Sequence, residues 1–161
     1  MIEEIQIKTE GDLTKWTPVQ STEGAAGWDI FSRIDLPLEL FPGEVNLVPT
    51  GVYMELPPGW ACWVIPRSGL AADYGLTIVN SPGLIDSDYR GEIKVILCVI
   101  KTSEKSDWGY TKSNQRGITI QPYSRIAQLV PFKVDECKLI HTTRELNKTK
   151  RGEKGLGSTG T

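Results

Sequence analysis

An all-β barrel or sandwich is the fold class predicted by three features of this chain. Runs of strand length recur between Pro and Gly punctuation, from Leu38-Glu-Leu-Phe41 to Trp60-Ala-Cys-Trp-Val-Ile65. The composition includes 16 Gly and 10 Pro. No stretch keeps the 3.6-residue apolar period of a long amphipathic helix. The 161 residues are enough for one domain with a real core, and 39% hydrophobic with 24% charged residues is a globular balance.

In chain order, Ile2, Ile5 and Ile7 alternate imperfectly with polar residues, which predicts a first strand within residues 1–10; residues 11–20 read as a loop around Pro18. Gly24-Ala-Ala-Gly-Trp-Asp-Ile-Phe31 sets Asp29 between Trp28 and Ile30. Two readings stay open there: an Asp that caps a strand start, or a carboxylate serving as a polar anchor or lying near a metal. The Pro/Gly-separated runs from Leu36 to Ile65 follow. Ser68–Tyr74 is the one plausible helical piece, one to two turns with Ser68 as N-cap. Arg67, Ser68 and Gly69 bring a guanidinium, a hydroxyl and backbone N–H groups to its start, the make-up of a phosphate site. An Arg on a loop is more often simply solvated.

Residues 80–95 read as a hairpin that carries chemistry. Pro82-Gly83 presets one φ and tolerates a positive one, predicting a fold-back between Leu76–Val79 and Leu84-Ile85. Asp86, Asp88, Tyr89 and Arg90 then crowd two carboxylates, a phenol and a guanidinium into five residues. A solvated surface cluster is the competing reading. A calcium loop fails, because Arg90 stands at the fifth position and Leu97 at the twelfth, where a bidentate Glu is needed.

Val95–Ile100 predicts an apolar strand, and residues 101–117 a polar insert too long for an ordinary hairpin loop, with Trp108 and Tyr110 inside it. Ile118–Val130 resumes as strand, turn, strand. Strand alternation puts Arg125 and Gln128 on opposite faces, so both can line one pocket only across a bend. The tail from Lys148 to Thr161 contains Gly155-x-Gly157-x-x-Gly160, but no second strand follows, which rules out a dinucleotide fold. It reads as a flexible, Gly-rich segment able to close over phosphates, against a plain disordered terminus.

A net charge of −2 gives no broad basic field, so nucleic acid is not an expected partner. The first residues lack a basic region followed by an apolar one, and no apolar run is long enough to span a bilayer. A cytoplasmic location is therefore expected, or a host-cell interior for a viral chain. Cys62, Cys98 and Cys137 form neither a disulfide framework nor a zinc spacing, and with His141 as the single histidine there is no two-histidine zinc motif.

The motifs occur in a specific order: Ala26-Gly-Trp-Asp29, Pro66-Arg-Ser-Gly-Leu-Ala71, Asn80 through Gly91, Arg125-Ile-Ala-Gln128, and Arg151 to Gly160. That order, spread over nearly the whole chain, resembles the five-motif pattern of the trimeric dUTPases. The resemblance implies a distorted, jelly-roll-like β-barrel of the β-clip kind over residues 1–147, with a phosphate-closing arm at 148–161. It also implies a homotrimer with sites at subunit interfaces, and Mg2+-dependent hydrolysis of dUTP to dUMP and pyrophosphate. By resemblance, Asp86 activates the attacking water; Asn80, Gly83, Leu84 and Ile85 read the uracil; and Tyr89 packs under the deoxyribose. Arg67, Ser68, Gly69, Gln128, Arg151, Lys154, Gly157, Ser158 and Thr159 would hold the phosphates, and Asp29 would orient the metal through its waters. Leu156 stands where the family usually has a stacking Phe, and Lys154 where it has Gly. The alternatives are a nucleotide-binding regulatory protein of the same fold, acting on a protein partner through 101–117, and a dCTP deaminase, whose motif differs.

Overall fold

The structure, a computed structural model, describes residues 4–11, 13–100 and 117–153. In chain order its elements are β1 (Gln6–Thr9), α1 (Leu13–Trp16), β2 (Val19–Gln20), β3 (Trp28–Phe31), β4 (Leu38–Leu40), β5 (Val45–Glu55) and β6 (Trp60–Ile65). There follow α2 (Ser68–Tyr74), β7 (Leu76–Ile78), β8 (Gly83–Ile85), β9 (Ile93–Val99), β10 (Ile118–Ile120) and β11 (Arg125–Lys133). The expected first strand, short helix and apolar strand are all present. The helix has Arg67, not Ser68, at its N-cap, extended at φ −84° and ψ 128° with no side-chain cap bond. It ends at Gly75, whose φ of 64° is left-handed and strained for any residue with a Cβ.

The strands form a four-stranded sheet β1-β5-β9-β7, a five-stranded sheet β2-β3-β11-β6-β8, and the pair β10-β4. This is a jelly-roll-like β fold whose sheets stay open rather than closing into one barrel. The core lies between the sheets, where Ile30, Leu40, Val48, Val52, Ile93, Leu97, Ile126 and Leu129 are almost wholly shielded from water. Side chains of this size each contribute roughly 1.5–3 kcal/mol by leaving water. Among the described residues after β11 there is no helix or strand, and every residue from 134 to 153 is exposed. No helix among the described residues is long and apolar enough to cross a membrane.

The Pro82-Gly83 turn, predicted as a hairpin, and the turn between β10 and β11 are both crossings between sheets. β7 pairs with β9, whereas β8 pairs with β6, so Pro82-Gly83 carries the chain from one sheet to the other instead of folding β8 onto β7. In the same way β10 pairs with β4 while β11 pairs with β3 and β6. Turn residues specify that the chain reverses; cross-strand burial selects the partner. The Ser81–Pro82 peptide is cis.

Cys62 on β6 is fully buried, and burial pushes its thiol up to about 12, with a backbone hydrogen bond at Val130 opposing the shift. The thiolate is the nucleophile. Iodoacetamide near pH 8 should therefore modify the exposed Cys137 and spare Cys62 until the chain is unfolded; prompt labelling of Cys62 in the native protein, read by peptide mass spectrometry, would contradict this packing.

Candidate active site

The site residues form two groups on the five-stranded sheet. In the first, Asp29 on β3 is 1% exposed and lies directly across from Gln128 on β11, which in turn faces Ile65 on β6. A buried carboxylate needs compensating charge and hydrogen bonds, and two arginines supply them. Arg67, two residues past the end of β6, donates from Nε to Asp29 Oδ1 at 3.1 Å. Arg125 donates from Nη1 to Oδ2 at 3.2 Å, and Ser21 Oγ donates to the same oxygen at 3.3 Å. Arg67 Nη1 also donates to the Arg125 carbonyl at 3.2 Å. One negative charge thus links two positive ones.

The register of β11 explains how Arg125 and Gln128 share this corner. Arg125 faces Phe31 but Ala127 faces Ile30, a shift that marks a bulge between them. The extra residue breaks strand alternation and turns Arg125 toward Asp29. Upstream, the β10–β11 turn is locked on the fully buried Ser32. Its Oγ donates to the Gln121 carbonyl at 2.9 Å and accepts from the Ser124 N–H at 3.1 Å, and its own N–H donates to the Ser124 carbonyl at 2.8 Å. Arg125 follows at once. Ser68 and Gly69, at the start of α2, are exposed beside this group.

The second group surrounds β8. Gly83 is buried, and a Cβ there would come within 3.3 Å of both the Asn80 amide nitrogen and Val64 Cβ. Its φ is not among the positive ones; glycine here eases a close approach to Asn80 and Val64 and does not serve the positive φ expected from Pro82-Gly83. Leu84 is half-exposed opposite Trp63, and Ile85 packs partly against the core. Asp86 follows, exposed, with its carboxylate in no ion pair among the described residues. The turn after it is tied down: the Tyr89 N–H donates to the Asp86 carbonyl at 3.2 Å, and Arg90 Nη1 donates to the carbonyls of Ser87 (2.6 Å) and Tyr89 (3.0 Å). Arg90 Nη2 is 3.9 Å from Glu55. This arginine is spent on the turn and on Glu55 and leaves Asp86 unpaired. The Tyr89 ring covers Gly91, where a Cβ would lie 2.6 Å from Cζ, and its hydroxyl donates to the Glu92 carbonyl at 2.9 Å.

One chain does not bring the two groups together. Gln128 and Asp29 are level with Ile65, whereas Ile85 is level with Cys62 and Asp86 lies one residue further along. β8 and β3 stand at opposite sides of β6 and β11. Three strand spacings of about 4.8 Å, and four residues at about 3.3 Å, separate Asp86 from the arginine group by on the order of 20 Å.

Of the residues named from the motifs, Asn80, Gly83, Leu84, Ile85, Asp86 and Tyr89 fall in the second group and Asp29, Arg67, Ser68, Gly69 and Gln128 in or beside the first. Arg151 lies on the exposed stretch after β11. Lys154, Leu156, Gly157, Ser158, Thr159 and all of the insert before Gly117 lie outside the described residues. Arg125 was noted as a motif residue that a bend could bring to a pocket but was given no role, and Ser21 and Ser32 were not foreseen. Arg125 carried a signal, a cation at the head of an apolar strand; Ser21 and Ser32 carried none.

A buried Asp–Arg corner and an exposed Asp-Tyr turn thus stand on one jelly-roll-like sheet, with polar groups supplied by several strands. The dUTPase family model matches residues 15–107 and 108–160, its break falling within the polar insert, and the chain belongs to the dUTPase family. A deoxyuridine 5'-triphosphate nucleotidohydrolase of Caldanaerobacter subterraneus subsp. tengcongensis is 41% identical over 143 residues, covering 89% of this chain and 87% of that protein. Another of Chlamydia pneumoniae is 41% identical over 155 residues, 96% and 95% of the two chains. Among solved structures, the Staphylococcus bacteriophage 80alpha dUTPase with dUPNHPP superposes with a TM-score of 0.81 at 24% identity, over 99% of this chain and 100% of that one. A dUTPase of the S. aureus phage phi11, described as coordinating a structural Mg(II) ion, gives 0.74 at 20% identity over 88% and 98%. At these identities the phage structures speak to the fold alone.

Proposed function

We propose that this chain hydrolyses dUTP to dUMP and pyrophosphate, with Asp86 as the base that activates water. The observation that carries the mechanism is the exposed, unpaired Asp86 carboxylate at the end of β8, held on a turn that Tyr89 and Arg90 tie down. A positioned carboxylate can take a proton from water as the oxygen attacks the α-phosphorus; the bond from that phosphorus to the bridging oxygen breaks and pyrophosphate leaves. Asn80, Gly83, Leu84 and Ile85 offer backbone and amide groups to the uracil edge. Unpaired polar groups there disfavour cytosine, and the closed turn leaves no space for the methyl of thymine. Tyr89 is the surface for the deoxyribose. Arg67, Ser68, Gly69 and Gln128 take the phosphates, joined by Arg151, Lys154, Gly157, Ser158 and Thr159 when the arm closes, with Leu156 in the stacking position.

A separation on the order of 20 Å supports a site assembled from more than one copy. Base and phosphate clamp must meet around a single triphosphate, with reacting atoms about 3–3.5 Å apart, so Asp86 of one protomer works with the arginines of another. Closed symmetry meets that need, in the trimer that the family resemblance implies.

No group of three or more His, Cys, Asp or Glu able to cage a metal occurs among the described residues. This is no objection to Mg2+, which retains waters and binds through phosphates with few protein carboxylates. Bound together with the triphosphate, the ion would supply positive charge to offset that of the phosphate oxygens. Asp29 does not fit as the residue that orients the ion: it is buried and both its oxygens accept from arginines.

The test is pyrophosphate release from dUTP, dCTP, dTTP and UTP with Mg2+. Release confined mainly to dUTP is expected; ammonia from dCTP would mark a deaminase, and binding without turnover a regulatory protein. Because every residue from 134 to 153 is exposed, truncation before Arg151 should cut turnover at least roughly tenfold through lost charge-assisted phosphate contacts while leaving the thermal midpoint nearly unchanged. Full activity after truncation would remove the arm from the mechanism.

A further inference from the structure

We propose that Asp29 is a positioning residue, the internal counter-ion that welds Arg67 and Arg125 into one cationic clamp for the phosphates, and that it acts without touching the metal. The proposal rests on the phosphate-binding part of the reading above and gives Arg125 a place in it.

Three observations carry it. The carboxylate is spent inward: 1% exposed, it receives Arg67 on one oxygen and Arg125 and Ser21 on the other. Both guanidinium groups are asymmetric, with their inner nitrogens on Asp29 and their side chains 28% and 50% exposed, so each keeps an outer part facing solvent. The backbone also supports the arrangement, since the Ser32-locked turn and the bulge between Arg125 and Ala127 deliver Arg125 to this corner and no other.

A single arginine on a loop loses side-chain entropy when it grips a phosphate. Two arginines pinned from behind by one carboxylate have lost much of it before ligand arrives, and they present a net positive unit. The arrangement requires the carboxylate to be ionised and shared; an amide at the same place accepts on one atom only and turns a donor toward the other guanidinium. Asp29→Asn therefore loosens the clamp without removing either arginine.

The experiment compares wild type, Asp29→Asn, Arg125→Gln and the double variant in three measurements: KM and kcat for dUTP, the Mg2+ concentration giving half-maximal rate, and calorimetric binding of inorganic pyrophosphate without metal. For Asp29→Asn, KM should rise roughly 10- to 100-fold with a much smaller change in kcat, as for lost uniform binding through charged hydrogen bonds. Metal-free pyrophosphate affinity should fall by a similar factor, with the half-saturating Mg2+ unchanged. Arg125→Gln, at a half-exposed position, should reproduce part of the loss even if Asp29→Asn fails to fold, and where the double variant folds its loss should be smaller than the product of the two single losses. A raised Mg2+ requirement with intact pyrophosphate binding would overturn the proposal in favour of a metal-orienting Asp29. So would a wild-type protein that binds no metal-free pyrophosphate. Wild type that turns over no dUTP, yet loses pyrophosphate affinity in these variants, would refute the enzymatic reading and leave the clamp standing.

Discussion

Asp86→Asn is expected to lower dUTP turnover by roughly 10²- to 10⁴-fold, the range of a lost general base, while dUTP still binds. The substitution retains size and shape and removes only the capacity to accept a proton. Nothing in the fold depends on it: Asp86 is exposed, and the hydrogen bond that shapes its turn uses its backbone carbonyl, not its side chain. The kcat should therefore carry nearly the whole effect, with the Kd for a non-hydrolysable dUTP analogue close to wild type. Turnover within a few-fold of wild type would mean that another group activates the water. Weakened analogue binding with a preserved kcat would place Asp86 among the binding groups instead.

A mixture of two inactive proteins should recover activity. Arg67→Ala removes the side chain that bridges Asp29 and the Arg125 carbonyl, and Asp86→Asn removes the base; each is expected to be nearly inactive alone. If base and clamp come from different protomers, co-refolding the two in equal amounts creates sites that combine an intact Asp86 with an intact Arg67. Random assembly makes on the order of a quarter of the sites complete in a closed homo-oligomer, so about that fraction of wild-type activity should return. The physical ground is the strand register, which holds Asp86 and the Asp29 corner on the order of 20 Å apart within one chain. Mixtures that stay inactive, although mixed oligomers are verified by mass, would show that one chain provides both groups.

The structure sharpens the motif reading at three places. Gly83 looked like a turn glycine and is a packing glycine, because a Cβ there would press on Asn80 and Val64 at 3.3 Å. Arg125 and Gln128 stood on opposite faces by strand parity, and the Arg125/Ala127 bulge brings both to the Asp29 corner. Asp29 was assigned to the metal by resemblance; two long side chains from distant segments converge on it, Arg67 lying 38 residues away and Arg125 lying 96 away. No local pattern encodes such convergence.

Short apolar runs between Pro and Gly determine by themselves that the chain is all-β, since strands need alternation and turn residues but no distant information. The spelling and order of the polar motifs determine the family for a similar reason: the groups that touch a ligand must be particular residues in particular turns. Partner choice among strands was left to the tertiary structure. β7 lies against β9 and β8 against β6 because burial of whole faces, summed over the core, outweighs the local pull of a Pro-Gly turn. The same packing shields Asp29 from water, and a carboxylate without water takes the nearest positive charges, Arg67 and Arg125. Residue identity thus specified which chemistry is available, and long-range packing decided which groups meet.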